Sequence, residues 1–269
     1  SPVALERAVD ELTQSLGLNA ENRPPILAGD LPDGTSFRIL LPPIAPDGPI
    51  LTFTKPALGA HTIQGLVDSG TLAVEMADYL FEQVVGGANI LVSGRRRTDR
   101  LRIMNALAIL IPEDERVVVV EGLGQVVVPH RNSIKLRLPT LPDESEQLFA
   151  ILPTLIADRL VVADVMGDDL AALMRLALEG AEGVVASTYG RSPEDLIRRI
   201  EAFVEFFGTE SVETIIAGAV DIIVHVDTTP DGARISSIVE VQSDENGSLI
   251  HEVFGWSNDD DDADEPAEE

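Results

Sequence analysis

Four short apolar runs, at residues 89–92, 117–120, 159–165 and 184–187, alternate along the chain with segments whose apolar residues recur at helical spacing. Runs of this length, rich in Val and Ile on consecutive positions, suit strands buried on both faces. The alternation predicts an α/β fold: a twisted, mostly parallel sheet with helices on both faces. Within it, residues 88–107 read as a buried strand, a tight loop and a helix that starts directly after the loop, with apolar residues at Leu101, Met104, Leu107 and Ala108. That topology is the one in which a loop and a helix N-terminus hold a phosphate.

The side chains of the loop do not suit that task. The nucleotide-cradling pattern is G-x-x-x-x-G-K-[ST], where glycines let backbone N–H groups approach the phosphates, the lysine neutralises them and the hydroxyl ligates Mg²⁺. Gly94 fits the first position, but Asp99 stands at the second glycine, Arg100 at the lysine and Leu101 at the hydroxyl. A carboxylate about 4 Å from a phosphate oxygen is repelled by roughly 4 kcal/mol per charge pair at an effective dielectric near 20. An arginine fork is longer and stiffer than a lysine stem, and leucine cannot ligate a metal. Arg95, Arg96 and Arg97, followed by Thr98, also replace the small residues that give a cradle its backbone freedom.

Charge limits the partners. The chain of 269 residues carries a formal net charge of −27, and the eight acids between Asp259 and Glu269 leave −19 on the rest. Such a field repels nucleic acid and anionic membranes. No apolar run of 18 or more residues occurs, so no membrane insertion is expected, and the first residues show no charged and then apolar leader pattern. The absence of cysteine removes disulfides and thiolate metal sites and fits a reducing cytoplasm. His61, His130, His225 and His251 are scattered singly, so no metal site is expected.

Taken in order, residues 3–16 fit an amphipathic helix, followed by strands at 26–29, 35–41 and 50–55 around a Leu31-Pro32-Asp33-Gly34 turn. Residues 1–57 are therefore expected to form a small α+β N-terminal domain, 58–64 a linker, 65–256 the main α/β domain and 257–269 a disordered acidic tail. Helices are expected at 63–67, across the junction into the main domain, and within that domain at 75–85, 144–156, 170–178 and 215–219. Further short strands are expected at 126–128 and 133–138. Ser192-Pro193-Glu194-Asp195 reads as a helix start, with a cap, proline at the first position and acids at the positive dipole end. Residues 222–226 and 235–241 are expected to form a hairpin around Thr229-Pro230-Asp231-Gly232, with an edge strand at 249–254.

The segments LPDGTSFRILLPPIAPDGPILTFTKP, GTLAVEMADYL, ANILVSG, NAL, IPEDERVVVVE, ADRLVVADVMG and STYGRSPEDLIRRIE together resemble the type II/IV secretion ATPases, and among them the pilus-assembly ATPases of tight-adherence systems. The resemblance covers most of the chain. It implies a RecA-like P-loop NTPase core, a commonly hexameric motor, ATP bound between two domains and a role in secretion or pilus assembly. Measured against the family's motor residues, the chain departs at several places. Its acidic segment keeps Glu121 but has Gly122 next; its Walker B segment has Asp164 for glutamate and Met166 for arginine. Its histidine segment has Tyr189, and Thr54 stands before Lys55 where the family has arginine.

Glu121 and Asp164 end buried strands, where an acid can hold Mg²⁺ or polarise water. The plainer reading, favoured here, is an acid closing a strand in solvent. Tyr189 is expected to pack at the old site, since a phenol titrates near 10. Arg95, Arg96, Arg97, Arg100 and Arg102 either capture a phosphate, an acidic partner or the chain's own tail, or form a solvated loop neutralised by carboxylates. Glu179, Glu182, Asp168 and Asp169 read as cap and surface charges. Three functions follow: a pseudo-ATPase without cofactor, acting as scaffold or regulator in a secretion or pilus machine, beside an active ATPase paralogue; a slow ATPase using Mg·ATP with Arg100 in place of lysine; and a sensor of another anionic ligand. The resemblance implies a cytoplasmic protein peripheral to an inner-membrane complex, with any homo-oligomer weakened by loss of the nucleotide site.

Overall fold

The computed structural model describes residues 2–19, 23–33, 35–55, 62–139, 142–204, 212–230, 232–242 and 249–255. It divides into one unit of residues 1–58 with 123–125, and a second of residues 59–122 and 126–269.

The first unit sets helix α1 (Pro2–Ser15) beside an antiparallel sheet of β1 (Ile26–Asp30), β2 (Ser36–Leu40) and β3 (Ile50–Thr54), in that spatial order. Period-two alternation sends Phe37 and Ile39 inward with Leu27, where they pack on Val9 of the helix, and leaves Arg38 exposed.

The second unit runs α2 (Ile63–Asp68), α3 (Val74–Val85), β4 (Ile90–Gly94), α4 (Arg97–Ala108), β5 (Val117–Glu121), β6 (Ser133–Arg137), α5 (Pro142–Ile151), β7 (Arg159–Val162), α6 (Asp168–Leu178), β8 (Val184–Tyr189), α7 (Pro193–Val204), α8 (Val212–Ala219), β9 (Ile222–Thr229), β10 (Gly232–Val241) and β11 (Ile250–Gly255). Its eight-stranded sheet has the order β11-β10-β9-β4-β8-β7-β5-β6. Pairing is parallel from β9 to β6 and antiparallel across β9, β10 and β11. Consecutive residues of the buried strands feed opposite cores: Ile90, Val92, Val117 and Val119 pack with Leu80, Met104 and Leu107, whereas Leu91, Val118 and Val120 pack with Leu173, Leu196 and Ile216. This is the mostly parallel α/β architecture expected from the apolar runs, preceded by a small antiparallel sheet.

Several local expectations are corrected. Residues 126–128 form no strand: β6 already occupies the edge beside β5, and side chains satisfy the backbone instead. The Val126 N–H donates to Glu121 Oε2 at 3.0 Å and the Val127 N–H to Asn105 Oδ1 at 3.1 Å. The helix expected over 144–156 ends at Ile151 and tightens into a 3₁₀ turn over Leu152–Leu155, where Pro153 supplies no donor. The strand expected over 159–165 ends its regular ladder at Val162: Asp164 adopts a left-handed backbone (φ 55), which leaves the Ala163 N–H donating to the Val120 carbonyl at 2.9 Å and the Val165 N–H to the Ser187 carbonyl at 3.0 Å. Of the expected linker, residues 58–61 lie outside the described residues. Thr62 caps α2 by accepting from the Gly65 N–H at 3.1 Å, and Ile63 already belongs to that helix. Gly34, Asp231 and the acidic tail at 257–269 also lie outside the described residues. Among the described residues no helix is long and apolar enough to cross a membrane.

Candidate functional site

The C-terminal end of a parallel sheet is where open α/β folds place their ligands, because loops and helix N-termini converge there. In this chain β4 ends at Gly94, with Tyr189 of β8 and Val226 of β9 as its ladder neighbours. A Cβ on Gly94 would lie 2.5 Å from the Val226 carbonyl oxygen and 2.7 Å from Val226 Cγ1. Close strand packing is thus enough to require glycine, whether or not a phosphate sits above it.

From Gly94 the chain passes through exposed Arg95 and Arg96 into α4, where Arg100 is only 5% exposed. The Arg100 guanidinium does not reach outward as a phosphate-binding lysine would. One terminal nitrogen donates to the Gly94 carbonyl at 2.8 Å, and the other donates to Asp164 Oδ1 at 2.7 Å. Arg97 Nε donates to Asp164 Oδ2, so one carboxylate binds two guanidinium groups. The Asp164 N–H donates to Ser187 Oγ at 3.0 Å, which fixes the turn that delivers the carboxylate. Leu101, 5% exposed, joins the core formed with Met104 and Leu107. Asp99 is tied down as well: Thr228 Oγ1 donates to its Oδ2 at 2.6 Å, and Thr98 Oγ1 lies 3.4 Å from its Oδ1.

The structure divides the arginines that the sequence presents as one group. Arg97 and Arg100 are held by Asp164, Arg102 donates to Ser69 Oγ at 2.8 Å, and only Arg95 and Arg96 present exposed side chains. The expectation that Glu121 and Asp164 end their strands in solvent is corrected. Glu121 is 5% exposed and accepts from the Val126 N–H, while Asp164 is bound by the two arginines. The reason is that Asp164 faces two guanidinium groups brought from α4, and Glu121 faces a backbone N–H that the chain turns back onto it five residues later. Tyr189 is half-buried, and the Arg199 guanidinium carbon lies 4.9 Å from its ring centroid, a cation–π distance. Asp168 lies in the first turn of α6, and Asp169 accepts from Ser145 Oγ at 2.5 Å.

The start of α7 behaves as its residues predict. The Asp195 N–H donates to Ser192 Oγ at 3.2 Å, the geometry of a helix cap. The Arg191 guanidinium holds the Asp195 carboxyl down to about 2, and the Ser192 hydroxyl lowers that of Glu194.

Sequence reasoning missed a buried polar pair under the loop. Ser93 and His225, 0% and 2% exposed, face each other across β4 and β9, with Oγ and Nδ1 hydrogen-bonded at 2.7 Å. Burial pushes the His225 pKa below its ordinary value, and Asp227, 3.6 Å from Nε2, opposes that shift without reversing it. The available signal was a polar residue interrupting each of two apolar strands, ILVSG and IIVHV. Among the described residues no group of three or more His, Asp or Glu side chains converges to hold a metal.

No family model matches the chain. It is 27% identical over 252 residues to a probable conjugal transfer protein TrbB of Sinorhizobium fredii, a match that covers 92% of this chain and 77% of that one. The solved VirB11 ATPase of the Brucella suis type IV secretion system superposes with a TM-score of 0.55 at 21% identity, over 88% of this chain and 82% of that one. The Legionella pneumophila ATPase DotB gives a TM-score of 0.58 at 13% identity, over 91% and 70% of the respective chains. The chain therefore has the fold of the VirB11 and DotB ATPases, and the relatives it resembles in sequence include a conjugal transfer protein.

Proposed function

We propose that this chain is a non-hydrolysing member of that ATPase group, a pseudo-ATPase that works by binding, as a scaffold or regulatory subunit of a secretion or pilus machine. We further infer, from the order of its sequence segments, that it stands nearest the tight-adherence pilus-assembly branch. It would act beside an active paralogue at the cytoplasmic face of a membrane complex.

The observation that carries the proposal is the engagement of Arg100. The side chain at the lysine position of the nucleotide pattern is buried, and it donates to the loop's own Gly94 carbonyl and to Asp164. A triphosphate would have to displace Asp164 from two arginines before it gained either of them. The hydroxyl that would hold Mg²⁺ is replaced by Leu101, whose side chain is committed to the core. Acceptors that already satisfy a guanidinium in a partly desolvated place are costly to replace, because the acid left behind loses its partners. The alternative, a slow ATPase in which Arg100 replaces lysine, requires all of these changes at once.

Titration of Mg·ATP into the protein by calorimetry is expected to give no saturable heat, and steady-state assays no phosphate release above buffer. Magnesium-dependent hydrolysis that disappears in Asp164→Asn would overturn the proposal. Saturable ATP binding without hydrolysis would remove its cofactor-free part and keep the scaffold role.

A further inference from the structure

The geometry points to an internal ligand for the loop: we propose that the acidic C-terminal segment, residues 257–269, docks on the exposed guanidinium groups of Arg95 and Arg96. The strand register places the two near each other. β10 is antiparallel to both β9 and β11, and β9 is parallel to β4, so β11 and β4 run the same way. Gly255 pairs with Ser237, Ser237 with His225, and His225 with Ser93. The last described residue therefore lies level with the residue before Gly94, on the same end of the sheet. Three strand spacings separate them, about 14 Å at roughly 4.8 Å each. Asp259 follows Gly255 by four residues, a reach of about 13 Å in extended chain, and the segment as a whole can extend about 45 Å.

Charge selects the occupant. Between Asp259 and Glu269 the chain has eight acids and no basic residue. Arg97 and Arg100 are taken by Asp164, and Arg102 donates to Ser69. Arg95 and Arg96 are exposed, and among the described residues no carboxylate pairs with their guanidinium groups. A free polyanion approaching them meets a chain of net charge −27, which lowers its local concentration. The tail is covalently attached, so it forms the same ion pairs without that approach and without the translational loss of a bimolecular encounter. Repulsion from the other carboxylates of the second unit also favours the tail on the basic loop over other surfaces. When docked, it neutralises the loop and shields it from other anions.

The chain contains no cysteine, so Ala267→Cys gives a single attachment point for a nitroxide in the chain of 269 residues. Amide resonances of Arg95 to Thr98 are expected to broaden and to recover when the nitroxide is reduced. Broadening should vanish at about 1 M salt, where the Debye length falls to about 3 Å. It should also vanish in an Arg95→Ala, Arg96→Ala chain; both side chains are exposed, so unchanged resonances elsewhere would certify the fold. A tail with Asp259 to Asp262 replaced by Asn must give the same loss. Loop resonances of full intensity in the labelled chain, or broadening that survives loss of both arginines, would overturn the proposal. Broadening transferred to unlabelled chains in a mixed sample would overturn it too, by assigning the contact to a second copy. None of these outcomes bears on the ATPase reading, because neither arginine belongs to the Arg100–Asp164 pair.

Discussion

Arg100 is 5% exposed and Asp164 is its only charged partner among the described residues, so the charge of that one acid decides whether a buried cation is compensated. Asp164→Asn keeps the side chain's shape, an acceptor and tolerance of the left-handed backbone at φ 55. Only the charge is removed. Loss of one partner of a largely buried pair costs about 3 kcal/mol, because the remaining ion stays desolvated and unpaired. Urea unfolding of Asp164→Asn is expected to show that loss. Adding Arg100→Met to the same chain should restore most of it, since the stranded cation is then gone. Equal midpoints for the parent and Asp164→Asn would mean that the pair contributes nothing. Arg97, with 29% of its side chain exposed, can turn toward water and matters less. The sequence places Asp164 at a strand end, but nothing local in it says that the acid turns inward.

At the scale of elements, β4 and β9 meet the start of α7 around His225. Its ring faces Ser93 on β4 and Asp227 on its own strand, and the carboxylate of Glu194, in the first turn of α7, also favours its charged form. Burial dominates and lowers the folded-state pKa. The sign follows from linkage: below the unfolded value of about 6.5, the unfolded chain binds a proton that the native chain refuses. Stability contributed by neutral His225 is therefore present above about pH 6.5 and is lost on acidification, by at most about 1.4 kcal/mol per pH unit. His225→Asn, which retains a group near the Nδ1 position, should flatten that part of the pH–stability curve. Parallel curves for the two proteins would exclude a role for this histidine. The helices and strands around it were legible from periodicity, because a buried strand or amphipathic helix repeats its apolar residues locally. The Ser93–His225 pair was not, since it joins residues 132 apart in sequence.

For the whole molecule, the net charge of −27 sets a self-repulsion that folding concentrates into a smaller volume. Salt acts on this in two directions, weakening attractive ion pairs and repulsive crowding alike. Exposed pairs such as Arg7–Glu11 and Arg23–Asp10 each contribute about 1 kcal/mol or less, so the repulsion wins. The melting temperature is expected to rise between about 0.01 M and about 0.15 M salt, as the Debye length falls from about 30 Å to about 8 Å. A melting temperature that falls over that range would mean that ion pairs outweigh the net charge.

By itself the sequence determined the succession of apolar strands and helices, hence a mostly parallel sheet, because burial on a strand or along a helix imposes a short repeat. It also determined that the lysine, second glycine and hydroxyl of a nucleotide loop are replaced by Arg100, Asp99 and Leu101. Only the tertiary structure decided that Arg100 turns back onto Gly94 and Asp164, that Glu121 is buried against Val126, and that β11 ends level with the arginine loop. The Arg100–Asp164 pair and the level of β11 join residues far apart in the chain, while the Gly94 and Val126 contacts are short-range but follow no helix or strand repeat, so no local periodicity encodes which partner these side chains meet.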